Sequence, residues 1–153
     1  MEKITKRFKI KIPSEVAFQK FVYELNEWWP KEYTWSQDKL KEIKIDGRKD
    51  GLCTEIGPNG FRCDWGIVTE FTVNEKISLK WQISPKREPI PDPDKASDLN
   101  VGFLQEGSST VIEFEHLNFD NHGEGSEDYR RMMDSEHGWD YILRNYKKYC
   151  EQD

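Results

Sequence analysis

The sequence predicts an α+β fold in which a curved antiparallel sheet of about seven strands grips a long C-terminal helix. Short stretches that alternate apolar and polar residues recur from residue 4 to residue 116, separated by turn residues. Most connections between them are short, which favours antiparallel neighbours over crossovers. The final stretch, about 126–150, is apolar at three- and four-residue spacing, and it is the one element large enough to cover a sheet face.

The first strand spans residues 4–12, with Ile4, Phe8, Ile10 and Ile12 on one face and lysines opposite. Pro13 stops it. Ser14 is placed to cap a helix whose first turn carries Glu15. Val16, Ala17, Phe18, Phe21, Val22 and Leu25 then follow a helical stripe, which Pro30 ends just after Trp28 and Trp29. Two short helices are expected here.

Ile43 and Ile45 alternate with charged residues before Asp46-Gly47, and a strand near 51–56 turns at GPNG into a longer one near 61–73. In that longer strand Cys63, Trp65, Ile67, Phe71 and Val73 are expected to share a face. Matching apolar faces across the hairpin pairs Leu52, Thr54 and Ile56 with Phe61, Cys63 and Trp65. Cys53 then faces away from Cys63, so no disulfide joins them, and Glu55 and Asp64 fall on the solvated outer face.

Ile77, Leu79, Trp81 and Ile83 form the next alternating set, and SPKREPIPDPDK, with four prolines, is a loop. Leu99, Val101 and Phe103 follow, then a turn at 107–109, then Ile112, Phe114 and His116 on one face of the last strand. In the closing helix the stripe runs through Tyr129, Met132, Met133, Trp139, Ile142, Leu143, Tyr146 and Tyr149. Gly138 costs about 1 kcal/mol inside a helix, so a kink or close approach is expected there.

At 153 residues, with no repeat and no linker, the chain reads as one domain, 1–153. Apolar residues make up 35% and charged residues 34%, but six Trp, eight Phe and six Tyr supply large buried areas. That content argues for a folded, aromatic core rather than disorder. The net charge of −6, with bases interleaved among acids, gives no footprint for nucleic acid. No apolar run approaches the ~18 residues of a membrane span. The opening MEKITKRFKI lacks a signal-peptide core, and three cysteines in no metal spacing fit a reducing cytoplasm.

AFQKFVYELNEWWP, GLCTEIGPNGFRCDWGIV, PDPDKASDLNVGF, TVIEFEHLNFDNHGEG and GWDYILRNY resemble successive blocks of the SRPBCC superfamily. Within it they are similar to the branch named after the activator of the Hsp90 ATPase. The WWP, WG, EH, HGxG and GW elements carry the resemblance by their order and intervals, from about Phe8 to Tyr149. It implies the helix-grip fold, START-like and Bet v 1-like, in which sheet and C-terminal helix often enclose an apolar cavity. The superfamily spans transfer proteins, cyclases, receptors and co-chaperones, so chemistry does not follow from it. Here Asp50-Gly51 and Thr54 replace a Gly-Gly and an aromatic frequent in that block. The co-chaperone's separate N-terminal domain has no room in these residues.

Trp29, Trp35, Trp65, Trp81, Phe103, Phe114, His116, Met133 and Trp139 are the expected inward-facing set, either filling a solid core or lining a ligand cavity. Trp28 and Trp29, about 100° apart on a helix, cannot both face one pocket squarely. They either plug the core and sheet edge or gate a ligand. His116 is expected to be buried, either hydrogen-bonded to a neighbour or orienting a ligand's polar group. Tyr129 and Arg130 are alternative contacts for such a group.

EHLNFDNHGEGSED gathers potential metal ligands in no recognised spacing, and capping by Ser126 beside helix-dipole acids explains it better. No metal, cofactor or catalytic constellation is expected. Periodicity cannot measure the gap between sheet and helix, and it is the family resemblance that implies binding of a small hydrophobic or amphipathic molecule there. Alternatives are a protein-binding module of the Hsp90-activator type and a cyclase-like enzyme.

Overall fold

The computed structural model describes residues 1–152. Seven strands, β1 (Ile4–Ile10), β2 (Glu42–Ile45), β3 (Leu52–Ile56), β4 (Arg62–Thr72), β5 (Lys76–Trp81), β6 (Ser97–Glu106) and β7 (Ser109–Leu117), form one sheet in the order β1-β7-β6-β5-β4-β3-β2. Every pairing is antiparallel. Strands β2 to β7 are a meander, and β1 closes beside β7 with Ile4 opposite His116 and Phe8 opposite Ile112. Between β1 and β2 lie α1 (Ser14–Tyr23) and the single turn α2 (Leu25–Trp28), and the chain ends in α3 (Ser126–Met133) and α4 (Trp139–Cys150). The α+β helix-grip architecture is therefore present.

The core lies between the concave sheet face and the helices. Leu99, Val101, Phe103, Ile112, Phe114 and His116 supply the sheet side, and all are buried. Phe18 and Phe21 of α1 meet Phe103 edge-on at 5.2 and 5.7 Å, and Tyr146 of α4 meets Phe21 at 5.2 Å. Such edge contacts add about 1 kcal/mol each beyond area burial. An aromatic-rich core thus offsets the low apolar fraction.

Several local expectations are corrected. The closing helix is two helices, broken over residues 134–138, and the close approach expected at Gly138 is there, against the end of α3. A Cβ on Gly138 would sit 2.3 Å from the Met133 carbonyl oxygen. Neither Ser14 nor Ser126 caps its helix. Pro13 and Gly125 hold the cap positions without side-chain bonds, and Ser126 is itself buried.

Strand β4 carries two bulges. Cys53 pairs with Gly66 and Thr54 with Asp64, leaving Trp65 extra, and a second irregularity falls between Val68 and Glu70. A bulge shifts the side-chain alternation by one, so Val68 is fully buried in place of Ile67, and Val73 is exposed. The hairpin register also differs from the apolar match: Glu55 lies opposite Cys63. Glu55, Cys53 and Cys63 therefore share the inner side. All three cysteines are nonetheless unbridged and buried.

Candidate functional site

Between β3–β5 and the α3–α4 junction the structure leaves a cavity of about 340 Å³. The sheet side contributes Ile43, Glu55, Trp65, Trp81 and Ile83, and the helical side Met133, His137, Gly138 and Ile142. The segment after α2 adds Trp29, Glu32, Tyr33, Thr34, Trp35 and Gln37, and the proline-rich loop adds Arg87.

EWWPKEYTWS builds one side of this space. Trp28 turns into the core, and its indole N–H donates to the Lys20 carbonyl at 3.0 Å. Trp29, the next residue, takes extended backbone before Pro30, and its ring lies beside that of Trp28, centroids 5.7 Å apart. It stacks on Trp65 (centroids 6.1 Å, planes 24° apart) and leans on Trp81 and Trp139 at 6.3 and 6.1 Å. The rest of the segment is tied down at both sides. Tyr33 donates its hydroxyl to the His137 carbonyl at 2.7 Å, and Tyr141 donates to Glu32 at 2.5 Å. On the sheet side the Glu55 carboxylate accepts from the backbone N–H groups of Trp35 and Ser36 and from the Ser36 hydroxyl, at 2.7–3.1 Å. Glu55 is 1% exposed. The expectation of a solvated Glu55 is thus overturned: its charge is matched by three donors from one turn. Asp64, by contrast, lies on the outer side with Thr54 and Arg62.

Of the inward set, Trp29, Trp35, Trp65, Trp81 and Met133 line the cavity. Phe103, Phe114, His116 and Trp139 sit in packed core instead. Phe103 is wedged against Phe18 and Phe21, and Phe114 lies 4.6 Å from Trp139. His116 is fully buried and both its nitrogens are engaged. The Trp139 indole, which can only donate, gives its N–H to Nδ1 at 3.0 Å. Nε2 must then carry the proton and donate to Ser97 Oγ at 2.6 Å, and the Ser97 hydroxyl donates to His122 Nε2 at 2.7 Å. The chain ends on His122 Nδ1, buried without a partner. Burial, then the neighbouring His122, holds His116 well below the usual histidine range, and burial lowers His122 to about 4. Both rings are neutral near pH 7, and His116 has no lone pair left for a ligand.

The other polar candidates are also committed. Tyr129 accepts from Trp81 Nε1 at 2.7 Å and donates to the Ile83 carbonyl at 2.8 Å, and burial raises its hydroxyl to about 12. Arg130 points to the N-terminal strand, donating to the Glu2 and Lys3 carbonyls and pairing with Asp134. Glu115 is bound by Lys3 and Asn100. Among the described residues no three His, Cys, Asp or Glu side chains converge closely enough to hold a metal ion.

Sequence patterns missed Glu55 and Arg87. An apolar register places Glu55 on the wrong face because the turn is one residue longer than GPNG, so that Ile56 pairs with Arg62 and Glu55 with Cys63. Arg87 lies in a loop that gave no periodic signal. Ile83 and Ile142 were visible as inward positions, but nothing marked them as bordering empty space.

A seven-stranded antiparallel sheet closed by split C-terminal helices around an aromatic cavity defines a helix-grip domain. The chain belongs to the family described as Activator of Hsp90 ATPase homolog 1-like protein, whose model matches residues 14–151. A comparison with curated protein sequences gives no match. Among solved structures it is similar to an anthrahydroquino-γ-pyrone synthase, Txn09, solved as a complex, at 22% identity and a TM-score of 0.69, covering 97% of this chain and 96% of that one. It is also similar to the self-sacrificing resistance protein CalC from Micromonospora echinospora, at 20% identity and a TM-score of 0.66, covering 97% and 94%. The Aha1 dimer from Colwellia psychrerythraea matches at 17% identity and a TM-score of 0.65, covering 99% and 97%. At these identities the likenesses speak for the fold. No helix is long and apolar enough to cross a membrane among the described residues.

Proposed function

We propose that this protein binds a small apolar or amphipathic molecule in the cavity between its sheet and its helical layer. One observation carries the reading: about 340 Å³ bounded by Trp29, Trp35, Trp65, Trp81, Met133 and Ile142 is left unfilled by side chains. Cavities of this size, mostly apolar with a few polar groups, suit small ligands. Burying apolar ligand surface supplies about 25 cal/mol per Å², less the cost of association. Binding without turnover fits best, because His116 has both nitrogens engaged, and of the lining acids Glu55 is taken up by three donors and Glu32 by the Tyr141 hydroxyl. A cytoplasmic setting, in keeping with three free cysteines, belongs to the same reading.

Native mass spectrometry of freshly purified protein, followed by a denaturing run, tests it. The expected result is a stoichiometric extra mass that leaves on unfolding, or, for bare protein, quenching of tryptophan emission by small aromatic molecules. A bare mass together with unchanged emission across a broad apolar panel would remove the proposal. The family match favours a second reading, a protein-binding module that acts on a chaperone ATPase. Stimulation of Hsp90 ATPase turnover by this chain is its direct assay, and an unchanged rate at saturating protein excludes it.

A further inference from the structure

We infer that the cavity selects aromatic ligands carrying an anionic group, and that the Arg87 guanidinium recognises that group. The inference rests on the cavity reading above and adds the chemistry of the occupant.

Arg87 is the one lining residue with a fixed positive charge among the described residues. Arg87 is exposed at the cavity's edge and its guanidinium has no hydrogen bond or ion pair there, as is also true of the exposed Arg144 on α4, whereas Arg7, Arg48, Arg62, Arg130 and Arg131 each pair with a carboxylate. The two lining acids cannot neutralise it cheaply. Glu32 is engaged by the Tyr141 hydroxyl, and Glu55 by its three donors from residues 35–36. Another lining residue, His137, is exposed and faces Glu136. An arginine fork offered to a cavity and left without an acceptor suits a planar, two-oxygen anion.

The position of Arg87 is also built. Trp35, itself anchored by Glu55, donates its indole N–H to the Arg87 carbonyl at 2.8 Å. Arg87 N–H donates to the Ser84 carbonyl at 2.9 Å, and the Ser84 hydroxyl accepts from the backbone of Lys86 and Glu88. The residue is held at φ +63°, a conformation that non-glycine residues avoid unless their surroundings impose it. Its charge reaches the buried side: it favours the ionised form of the Tyr129 hydroxyl, against the larger effect of burial. In the same cavity wall, Trp29 and Trp65 lie nearly parallel with Trp81 edge-on to Trp65, flat apolar faces for the ligand's body.

The test is titration of 2-naphthoate and its neutral counterpart 2-naphthamide into wild type, Arg87→Gln and Arg87→Lys, followed by calorimetry and tryptophan emission. Wild type is expected to prefer naphthoate by roughly tenfold or more, the scale of a charge-assisted hydrogen bond. Arg87→Gln abolishes that preference and leaves naphthamide affinity unchanged. Arg87→Lys restores only part of it, since the charge returns without the fork. Equal naphthoate affinity in wild type and Arg87→Gln overturns the inference, and if naphthamide still binds, the cavity reading survives alone. Failure of both probes to bind wild type overturns the inference, while the cavity reading stands or falls on the native mass and the broad apolar panel.

Discussion

Glu55 shows how one buried carboxylate can organise a site. It joins β3 to the turn that carries Trp35, and through Trp35 to the loop that carries Arg87. Glu55→Ala leaves two backbone N–H groups unpaired in a closed space, at about 1–3 kcal/mol for each unsatisfied group. The expected loss is about 3 kcal/mol in urea unfolding, with a red shift of tryptophan emission as Trp35 meets water. A loss within 0.5 kcal/mol would show that the turn holds without it. The two histidines make a different prediction. In the unfolded chain each titrates near the usual ~6.5, whereas in the fold His116 is held well below that and His122 at about 4. Below pH 6.5 the unfolded state binds protons that the native state refuses, so stability rises with pH there and falls as pH drops towards 4. The lowered carboxylates, among them Glu115, work in the same direction once pH falls below about 5.5, where their unfolded forms begin to bind protons. Urea midpoints measured between about pH 7 and 5.5 therefore report mainly the histidines. His122→Asn, which removes the outer ring, is expected to flatten that slope, and a slope as steep as wild type's would refute the assignment.

At the scale of elements the break between α3 and α4 matters most, because Met133, His137, Gly138 and Ile142 border the cavity from it. Gly138→Ala places a Cβ against two backbone carbonyls, 2.3 and 2.6 Å away, that cannot swing aside as a side chain would. A loss of about 2–3 kcal/mol is expected from thermal or urea unfolding, within the upper part of the range for single substitutions. A neutral Gly138→Ala would mean that the junction yields easily. Strand order was legible in the sequence because alternation in β1, β5, β6 and β7 survives unbroken, as in Ile77, Leu79 and Trp81. The place of the helix break was legible in Gly138, but its extent was not, since the apolar stripe resumes at Trp139 and a stripe records faces rather than continuity. The bulges at Trp65 and near Thr69 are equally silent. They exchange the facings of Ile67 and Val68, while the facing of Glu55 follows from a turn one residue longer than its sequence signal. Likewise an inward-pointing Phe114 and an inward-pointing Trp65 look alike in sequence; only the packing distance separates filled core from cavity wall.

For the whole molecule, the proposed binding role sets stability against function at the cavity. A domain with this many tryptophans could have closed over the space, and leaving about 340 Å³ open forgoes contacts that a larger side chain would make. Stabilising substitutions at such places are common and tend to diminish function. Ile142 is the position at which to separate the two. It is 3% exposed, sits on α4 one turn beyond Gly138, and borders the cavity rather than a neighbouring helix alone. Ile142→Phe adds three carbons directed at empty space, each worth about 0.8 kcal/mol of burial before rotamer and shape costs. The expected outcome is unchanged or raised stability, by up to about 1 kcal/mol in urea, together with a loss of naphthamide and naphthoate binding of at least roughly tenfold. Stability and binding falling together by comparable free energies would mean that the space is needed for the fold itself. Binding that survives an undamaged Ile142→Phe would move the ligand site elsewhere on the molecule. The opposed changes, a firmer fold that no longer takes its ligand, are what a cavity kept open for an occupant requires.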